Sequence, residues 1–340
     1  MTGAAPVAIA GAGGWGTALA VHLAGIGREV ILWARRPEIA ARLASTRINE
    51  RLLPGVTIPA AVTITNDAAR LTDGPRAAIL IAVPTAGLRE VAGALGGWRK
   101  TGGVIVSLAK GFDPGGTRRP TELLGEWLGA GAAELGVLSG PSHAEEVARG
   151  LPTAVVAASA SPQTAERIQS VCFSPRFRVY TSTDPVGVEL GGALKNVIAV
   201  ACGVAEGLGL GDNTRAALMT RGLAEMTRLG LALGARRETF MGLAGLGDLV
   251  VTCTSDLSRN RRLGRRLGAG EPLDAILAGM EQVAEGVNAC RAAAALARER
   301  GIGMPITDQL LAILAGGAAP ASAMRDLLDR EARSEEEARG

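Results

Sequence analysis

The feature that most constrains this chain is a glycine turn set between an apolar run and a helix-like run near its start. Val7–Ala10 is a short β-type run, and Gly11-Ala12-Gly13-Gly14-Trp15-Gly16 follows it directly, before Thr17-Ala18-Leu19-Ala20 open a helical pattern. A lone GxGxxG says little in a chain with 47 glycines, but its place in the first strand-to-helix turn makes it specific. Gly11 permits the tight turn, Gly13 lets the backbone approach a pyrophosphate, and Gly16 lets the helix pack closely. The N–H groups at the helix start then face the phosphates, with Gly14 and Trp15 in the same turn. The spacing therefore predicts a dinucleotide-binding βαβ unit.

The same rhythm continues through the first half. Short β-type runs at 29–34, 77–83, 103–108, 135–139, 153–158 and 178–181 alternate with helix-type stretches at 16–24, 37–47, 85–95, 119–128 and 162–172. Several of the runs are apolar at consecutive positions, as strands covered on both faces must be. This predicts an α/β, Rossmann-like, doubly wound parallel sheet. From about Pro185 the texture changes to long Ala/Leu/Met/Arg stretches at helical spacing, with Leu218, Leu223, Met226, Leu229 and Leu233 on one stripe of 214–233. We therefore expect a dinucleotide-binding domain over 1–184, an all-α C-terminal domain over 185–330 and a charged tail over 331–340.

Composition narrows the function classes. A net charge of +3 gives no reason to invoke a nucleic-acid partner, and nine aromatic residues are too few for base-stacking platforms. Cys172, Cys202, Cys253 and Cys290 sit singly, with no CxxC pair and no His cluster, which argues against a metal site or a disulfide framework and for a reducing compartment. Residues 1–27 lack charged side chains, yet no Lys or Arg precedes the apolar stretch within them and their glycines are clustered, so neither an export signal nor a membrane span is expected. The expectation is a soluble, cytoplasmic protein acting on a small molecule. The 36 basic residues are unevenly divided: 33 are Arg, and only Lys100, Lys110 and Lys195 are Lys.

Some twenty residues after Gly16 the second strand ends in Arg35-Arg36, where an NAD-specific site usually places Asp or Glu. A guanidinium suits a 2′-phosphate, so Arg35, helped by Arg36, favours NADP, or at least tolerance of it beside NAD. The bland alternative, a surface pair ending a strand, is stronger for Arg36. Ligands of a doubly wound sheet bind beyond the carboxyl ends of its strands. There the chain offers Lys110 and the run Ser139-Gly140-Pro141-Ser142-His143-Ala144. Lys110 could hold or polarise a substrate oxygen, and Gly140 and Ser142 offer bare backbone and a hydroxyl. His143 reads as structural, and His22, inside the first helix, as core.

In the helical half, Lys195 stands in the apolar run Leu190-Gly191-Gly192-Ala193-Leu194-Lys195-Asn196-Val197. Burial would lower its ammonium toward the range of a general base, although a lysine reaching the surface is the ordinary alternative. The two preceding glycines suggest room for a ligand. Asp248, after Gly245-Leu246-Gly247, is a candidate partner for Lys195. Arg259 and Asn260 would give a fork and an amide for a phosphate dianion, whereas Arg262, Arg265 and Arg266 read as a basic helix face.

Taken together, GAGGWGTALA, SLAKG, SGPSHAEE, FRVY, LGGALKNVIA, TRGLAEM, MGLAGLGDLVVTCTSDLSRNRRLG, QVAEG at 282–286 and MPIT resemble the bacterial NAD(P)-dependent glycerol-3-phosphate dehydrogenases, in order and up to about residue 315. The resemblance implies that Lys195 is the base. It places substrate-binding groups at Lys110, Gly140, Ser142, Lys195, Asp248, Ser258, Arg259 and Asn260. It places cofactor contacts at Gly14, Trp15, Arg35, Arg36, Lys110, Ala144, Arg259, Val283 and Glu285. The activity implied is reversible reduction of dihydroxyacetone phosphate to sn-glycerol 3-phosphate, the backbone of phospholipids, by a homodimer. Lys195, Lys110 and Asp248 would form the catalytic set. Two alternatives differ in class: a β-hydroxyacid dehydrogenase of similar plan, disfavoured because Ala199 stands where its Asn is expected, and a regulator that binds NAD(P) without chemistry.

Overall fold

The computed structural model describes residues 5–280 and 284–329, and it divides into two compact units. The first comprises the chain up to Ala109 together with Arg118–Pro185; the second comprises Lys110–Thr117 and the chain from Val186 onward. The short segment Lys110–Thr117 thus departs from the expected single boundary near 184 and packs with the helical unit. Phe112, fully buried in the core of that unit, is the physical reason.

The strands of the first unit are β1 (Val7–Ala10), β2 (Val30–Trp33), β3 (Ile48–Asn49), β4 (Leu53–Thr57), β5 (Val62–Thr65), β6 (Ala78–Ile81), β7 (Val104–Ser107), β8 (Leu135–Ser139), β9 (Thr153–Ala158) and β10 (Phe177–Ser182). Its helices are α1 (Gly14–Gly25), α2 (Pro37–Thr46), α3 (Leu88–Ala94), α4 (Pro120–Leu128), α5 (Ala144–Ala148) and α6 (Pro162–Cys172). The main sheet runs β10-β9-β8-β7-β6-β1-β2-β5. Consecutive apolar residues serve both faces: Val7 and Ile9 of β1 enter one core layer, Ala8 and Ala10 the other. The chain leaves β1 toward β2 and returns to β6 on its other side, so the topological switch lies beside the carboxyl end of β1.

The sheet departs from a wholly parallel one where β9 pairs antiparallel with β8, and it gains a further parallel strand at its edge, where β5 joins β2. The run 62–65, VTIT, alternates threonine with valine and isoleucine in the pattern of a half-covered edge and gives no continuous apolar signal. The hairpin β3–β4 is likewise short and interrupted by Pro54 and Gly55.

The second unit begins with α7 (Pro185–Gly207), and continues through α8 (Asp212–Ala232), α9 (Arg237–Met241), α10 (Asp248–Thr254), α11 (Arg259–Gly268), α12 (Leu273–Ala278), α13 (Glu285–Arg300), α14 (Pro305–Leu314) and α15 (Pro320–Leu328). α7 is the one described helix long and apolar enough to cross a bilayer, and that stretch is wholly buried as the central helix of its unit. It touches α11 backbone to backbone. A Cβ on Gly203 would stand 2.1 Å from the carbonyl oxygen of Arg261, and one on Gly264 would stand 2.0 Å from that of Val200. The guanidinium of Arg261 fastens the same contact, donating at 2.8 and 3.0 Å to the carboxylate of Glu206.

Candidate active site

In the first unit the glycine turn has the geometry its residues require. Gly11 takes φ +120, and a Cβ there would meet the Ala82 carbonyl oxygen at 2.6 Å. A Cβ on Gly16 would stand 1.9 Å from the oxygen of Gly11, so only glycine lets α1 start this close to β1. Around Gly13, by contrast, nothing lies within 4 Å of the Cβ position. The first amides of α1 therefore open onto a space that a side chain would have filled, a cradle suited to the pyrophosphate of a dinucleotide. Trp15 and Ala144 each pack against the small cluster of Ala18, Leu53 and Val56 beside the turn. The indole N–H of Trp15 is buried and makes no hydrogen bond among the described residues.

Arg35 follows β2 and donates to Glu90 at 2.8 Å, with both side chains more than half exposed; Arg36 lies 3.7 Å from Glu38. Gly140 follows β8 at φ +139, and the Ser142 hydroxyl donates to its carbonyl at 3.0 Å. His143 is the N-cap residue of α5. His22 is half-buried, within 2.8 Å of the Cys172 carbonyl and with its ring tilted 37° against that of Phe177; burial first, opposed by that hydrogen bond, lowers its pKa. Lys100 is exposed on a 3₁₀ turn.

In the second unit three charged groups converge. Lys195 of α7 donates from Nζ to Oδ1 of Asp248 at 2.6 Å and to Oγ1 of Thr252 at 2.7 Å. Lys110 donates to the other oxygen, Oδ2, at 2.8 Å. Asp248 and Lys195 are nearly inaccessible, while Lys110 is partly exposed. Asp248 and Thr252 lie four residues apart on α10, so they share a helix face, and the Thr252 hydroxyl donates to the Asp248 carbonyl at 2.6 Å. This leaves the Thr252 lone pairs for Lys195. Two of the three N–H bonds of Lys195 are thereby used.

The glycines around this cluster serve packing. A Cβ on Gly191 would stand 2.5 Å from the Ala244 carbonyl oxygen, so the room expected there for a ligand is filled by the backbone of the π-helical turn Leu243–Gly247. That close approach brings Asp248, the next residue, up to Lys195.

The electrostatics follow from burial against pairing. Burial is the largest influence on Lys195 and lowers it; Asp248 opposes this and Lys110 adds to it, leaving a pKa of about 8. Burial alone would raise the Asp248 carboxyl, but the two ammonium groups outweigh it and hold the carboxyl below its ordinary range. Lys195 can therefore exist in both protonation states near neutral pH, next to a carboxylate that stays ionised.

A chain of amides runs alongside. Gly286 donates its N–H to Oδ1 of Asn260 at 3.0 Å, Asn260 donates from Nδ2 to Oδ1 of Asn196 at 2.9 Å, and Asn196 donates to the Lys110 carbonyl at 3.0 Å. A backbone group at each end fixes the polarity of both side chains. Ser258 is the N-cap of α11, its hydroxyl accepting from Arg261 N–H at 3.2 Å. Arg259 opens the same helix and lines a cavity of about 300 Å³ with Arg262, Arg266, Leu263, Ile276 and Met280. Arg265 and Arg266 pair with Glu206 and Glu271, as a basic helix face should, whereas Arg262 shares the cavity of Arg259. Glu285 is the first residue of α13. Val283 and the tail 331–340 lie outside the described residues. The four cysteines are buried and free, and the neighbouring Cys202 together with burial raises the Cys253 thiol well above its ordinary range.

Thr252, Asn196 and Asn49 were not singled out in the sequence. For Thr252 a signal existed, because it lies one helical turn from Asp248; for the two asparagines there was none.

Residues 6–165 match the family described as NAD-dependent glycerol-3-phosphate dehydrogenase N-terminus, and residues 184–325 match its C-terminus. The glycerol-3-phosphate dehydrogenase [NAD(P)+] of Moorella thermoacetica is 49% identical over 324 residues, 95% of this chain and 96% of that protein. The protein of the same name from Ralstonia nicotianae is 49% identical over 338 residues, 97% and 98% of the two chains. The crystal structure of glycerol-3-phosphate dehydrogenase from Coxiella burnetii superposes with a TM-score of 0.90 at 40% identity, covering 96% of this chain and 99% of that one. With both halves of the family matched and near half of its residues shared with full-length relatives, this chain belongs to the NAD-dependent glycerol-3-phosphate dehydrogenases.

Proposed function

We propose that this chain reduces dihydroxyacetone phosphate to sn-glycerol 3-phosphate with NADPH or NADH, reversibly, and so supplies the glycerol phosphate backbone of phospholipids. The reading rests on one observation above the others: the Lys195 ammonium, held by Asp248 and Thr252 with its pKa near 8. In reduction the protonated Lys195 gives a proton to the developing alkoxide, and in oxidation the neutral amine takes one from the C2 hydroxyl. Asp248 orients Lys195 and balances one of the two lysines, while Lys110 stabilises the substrate oxygen. Arg259 and Asn260 hold the phosphate, remote from the reacting carbon, so that its binding energy serves orientation. Gly140, Ser142 and Ser258 complete the substrate contacts.

The cofactor is held by Gly11, Gly13, Gly14, Trp15 and Gly16, with Arg35 and Arg36 at the ribose, and with Lys110, Ala144, Arg259, Val283 and Glu285. When bound, the reduced nicotinamide supplies the hydride to the ketone carbon. The open space at Gly13 supports the pyrophosphate assignment. We further read the protein as a cytoplasmic homodimer, for which sedimentation at micromolar concentration is the measure.

The experiment is NADPH oxidation with dihydroxyacetone phosphate, beside a β-keto acid and a substrate-free control. Turnover with the first alone is expected. Turnover with the keto acid alone would favour a β-hydroxyacid dehydrogenase, and binding without turnover a regulator. Lys195→Met should lose at least about a thousandfold in kcat while its Kd for NADPH stays within about threefold. Retained turnover would refute the role of Lys195.

A further inference from the structure

Asn49 of β3 is a buried amide that neither the substrate cluster nor the cofactor contacts described above use. Its Nδ2 donates to the carbonyl oxygen of Ala12 at 3.1 Å and to the Thr17 hydroxyl at 2.9 Å, and its partner Thr17 is fully buried. Both acceptors flank the glycine turn: Ala12 lies inside it, and Thr17 closes the first bond of α1 by donating its N–H to the Gly13 carbonyl at 2.9 Å. The hairpin that carries Asn49 is close by construction, because a Cβ on Gly14 would stand 2.7 Å from the Leu52 carbonyl oxygen. It is pinned at its base as well, where Ile58 donates its N–H to the Arg47 carbonyl at 2.7 Å.

A peptide group is planar and, when trans, points its C=O and N–H in opposite directions. No peptide bond among the described residues is cis. Holding the Ala12 oxygen on Asn49 therefore turns the Gly13 N–H away from the hairpin. It also keeps the negative end of the Ala12 carbonyl off an anion seated on the turn at Gly13, whose Cβ position, unlike those of Gly11, Gly14 and Gly16, has nothing within 4 Å. Resting on the reading of this turn as the dinucleotide site, we infer that Asn49 is a positioning residue for the cofactor: it fixes the plane of the Ala12–Gly13 peptide so that the Gly13 amide donates to the pyrophosphate. The residue touches no cofactor atom and acts through the backbone. A single extended strand residue, 33 positions beyond the turn, thus sets the polarity of the phosphate cradle.

The test uses the full chain and reads NADPH binding directly, by titration calorimetry or by the change in NADPH fluorescence. Asn49→Leu keeps the side-chain volume and removes the donor. Thr17→Val removes the second acceptor and leaves the bond to Ala12. The expected result is a Kd for NADPH raised about tenfold in Asn49→Leu and within about twofold of wild type in Thr17→Val. The KM for NADPH in Asn49→Leu rises with the Kd, and the KM for dihydroxyacetone phosphate stays within about twofold. Should Asn49→Leu fail to fold, Asn49→Ser carries the same test, since its hydroxyl ends short of Ala12. A folded Asn49 variant with wild-type Kd would overturn the role. Equal weakening by Thr17→Val would overturn it too, because the effect would then follow hairpin packing and not peptide orientation. Wild-type protein that binds neither NADPH nor NADH would instead sink the reading of the turn itself.

Discussion

A lysine buried beside a carboxylate and a further lysine is governed by the balance of burial against those charges, and at Lys195 burial is the largest influence. Because its pKa is lowered to about 8, kcat for reduction should fall as pH rises through about 8, where the ammonium is lost, and kcat for oxidation should rise over the same range. Removing the opposing anion sharpens the point. In Asp248→Asn, burial and Lys110 act without the main opposing charge, so both profiles should move about one to three pH units toward acid; an unmoved profile would show that Lys195 is not the titrating group. Cofactor preference is also decided residue by residue. Arg35→Asp should raise the KM for NADPH about tenfold or more and leave NADH nearly unchanged, and equal changes would contradict a 2′-phosphate role. Glu90 competes for the same guanidinium at 2.8 Å, so Glu90→Gln should lower the KM for NADPH a few-fold and leave that for NADH alone. The scarcity of lysine made Lys110 and Lys195 conspicuous in the sequence, since a compact, titratable ammonium differs from a guanidinium that stays charged.

Between elements, the close crossing of α7 and α11 carries the parts of the site that need precision. α7 bears Lys195 and Asn196, α11 bears Arg259 and Asn260, and the two helices touch through Gly203, Gly207, Gly264 and Gly268. Gly264→Ala forces a methyl toward the Val200 carbonyl. It should cost about 1–3 kcal/mol of stability, measured by urea unfolding, and should raise the KM for dihydroxyacetone phosphate more than it lowers kcat. A second junction is the start of α14. Glu225 of α8 accepts there from Ile306 N–H at 2.7 Å, Thr307 N–H at 3.3 Å and the Thr307 hydroxyl at 3.2 Å. Burial, the largest influence, outweighs these donors and raises the carboxyl to about 7. The folded state then keeps a proton that the unfolded state releases from about pH 4.5 upward. The stability contributed by that proton is present at low pH and is lost as pH rises through 7. The stability of wild type relative to Glu225→Gln should accordingly fall from pH 5 to pH 8, and a difference independent of pH would argue that Glu225 stays ionised throughout.

At the scale of the molecule, the segment Lys110–Thr117 is covalently continuous with β7 yet packs with the helical unit. Phe112 is buried in that unit's core, and Asn288 of α13 donates to the carbonyls of Phe112 and Asp113 at 3.1 and 3.2 Å. Phe112→Ala should cost about 3–5 kcal/mol, and by loosening Lys110 it should lower kcat as well; loss of stability without loss of kcat would show that Lys110 is placed independently. By itself the sequence determined the α/β half, the helical half and the nucleotide turn, because each is written in local spacing: alternation of short apolar runs with helical stripes, and glycines where no Cβ fits. It showed also that Lys195, if buried, would have to be paired or neutral, since an isolated charge in an apolar interior is too costly, and it left a lysine reaching the surface as the alternative. The tertiary structure alone decided that Lys110 shares the Asp248 carboxylate with Lys195, that Thr252 is a further partner of Lys195, that β9 runs antiparallel to β8, and that residues 110–117 pack with the helical unit. Each of these is a contact between segments distant in the chain, and such contacts depend on how whole elements pack, not on any spacing a local run of residues can record.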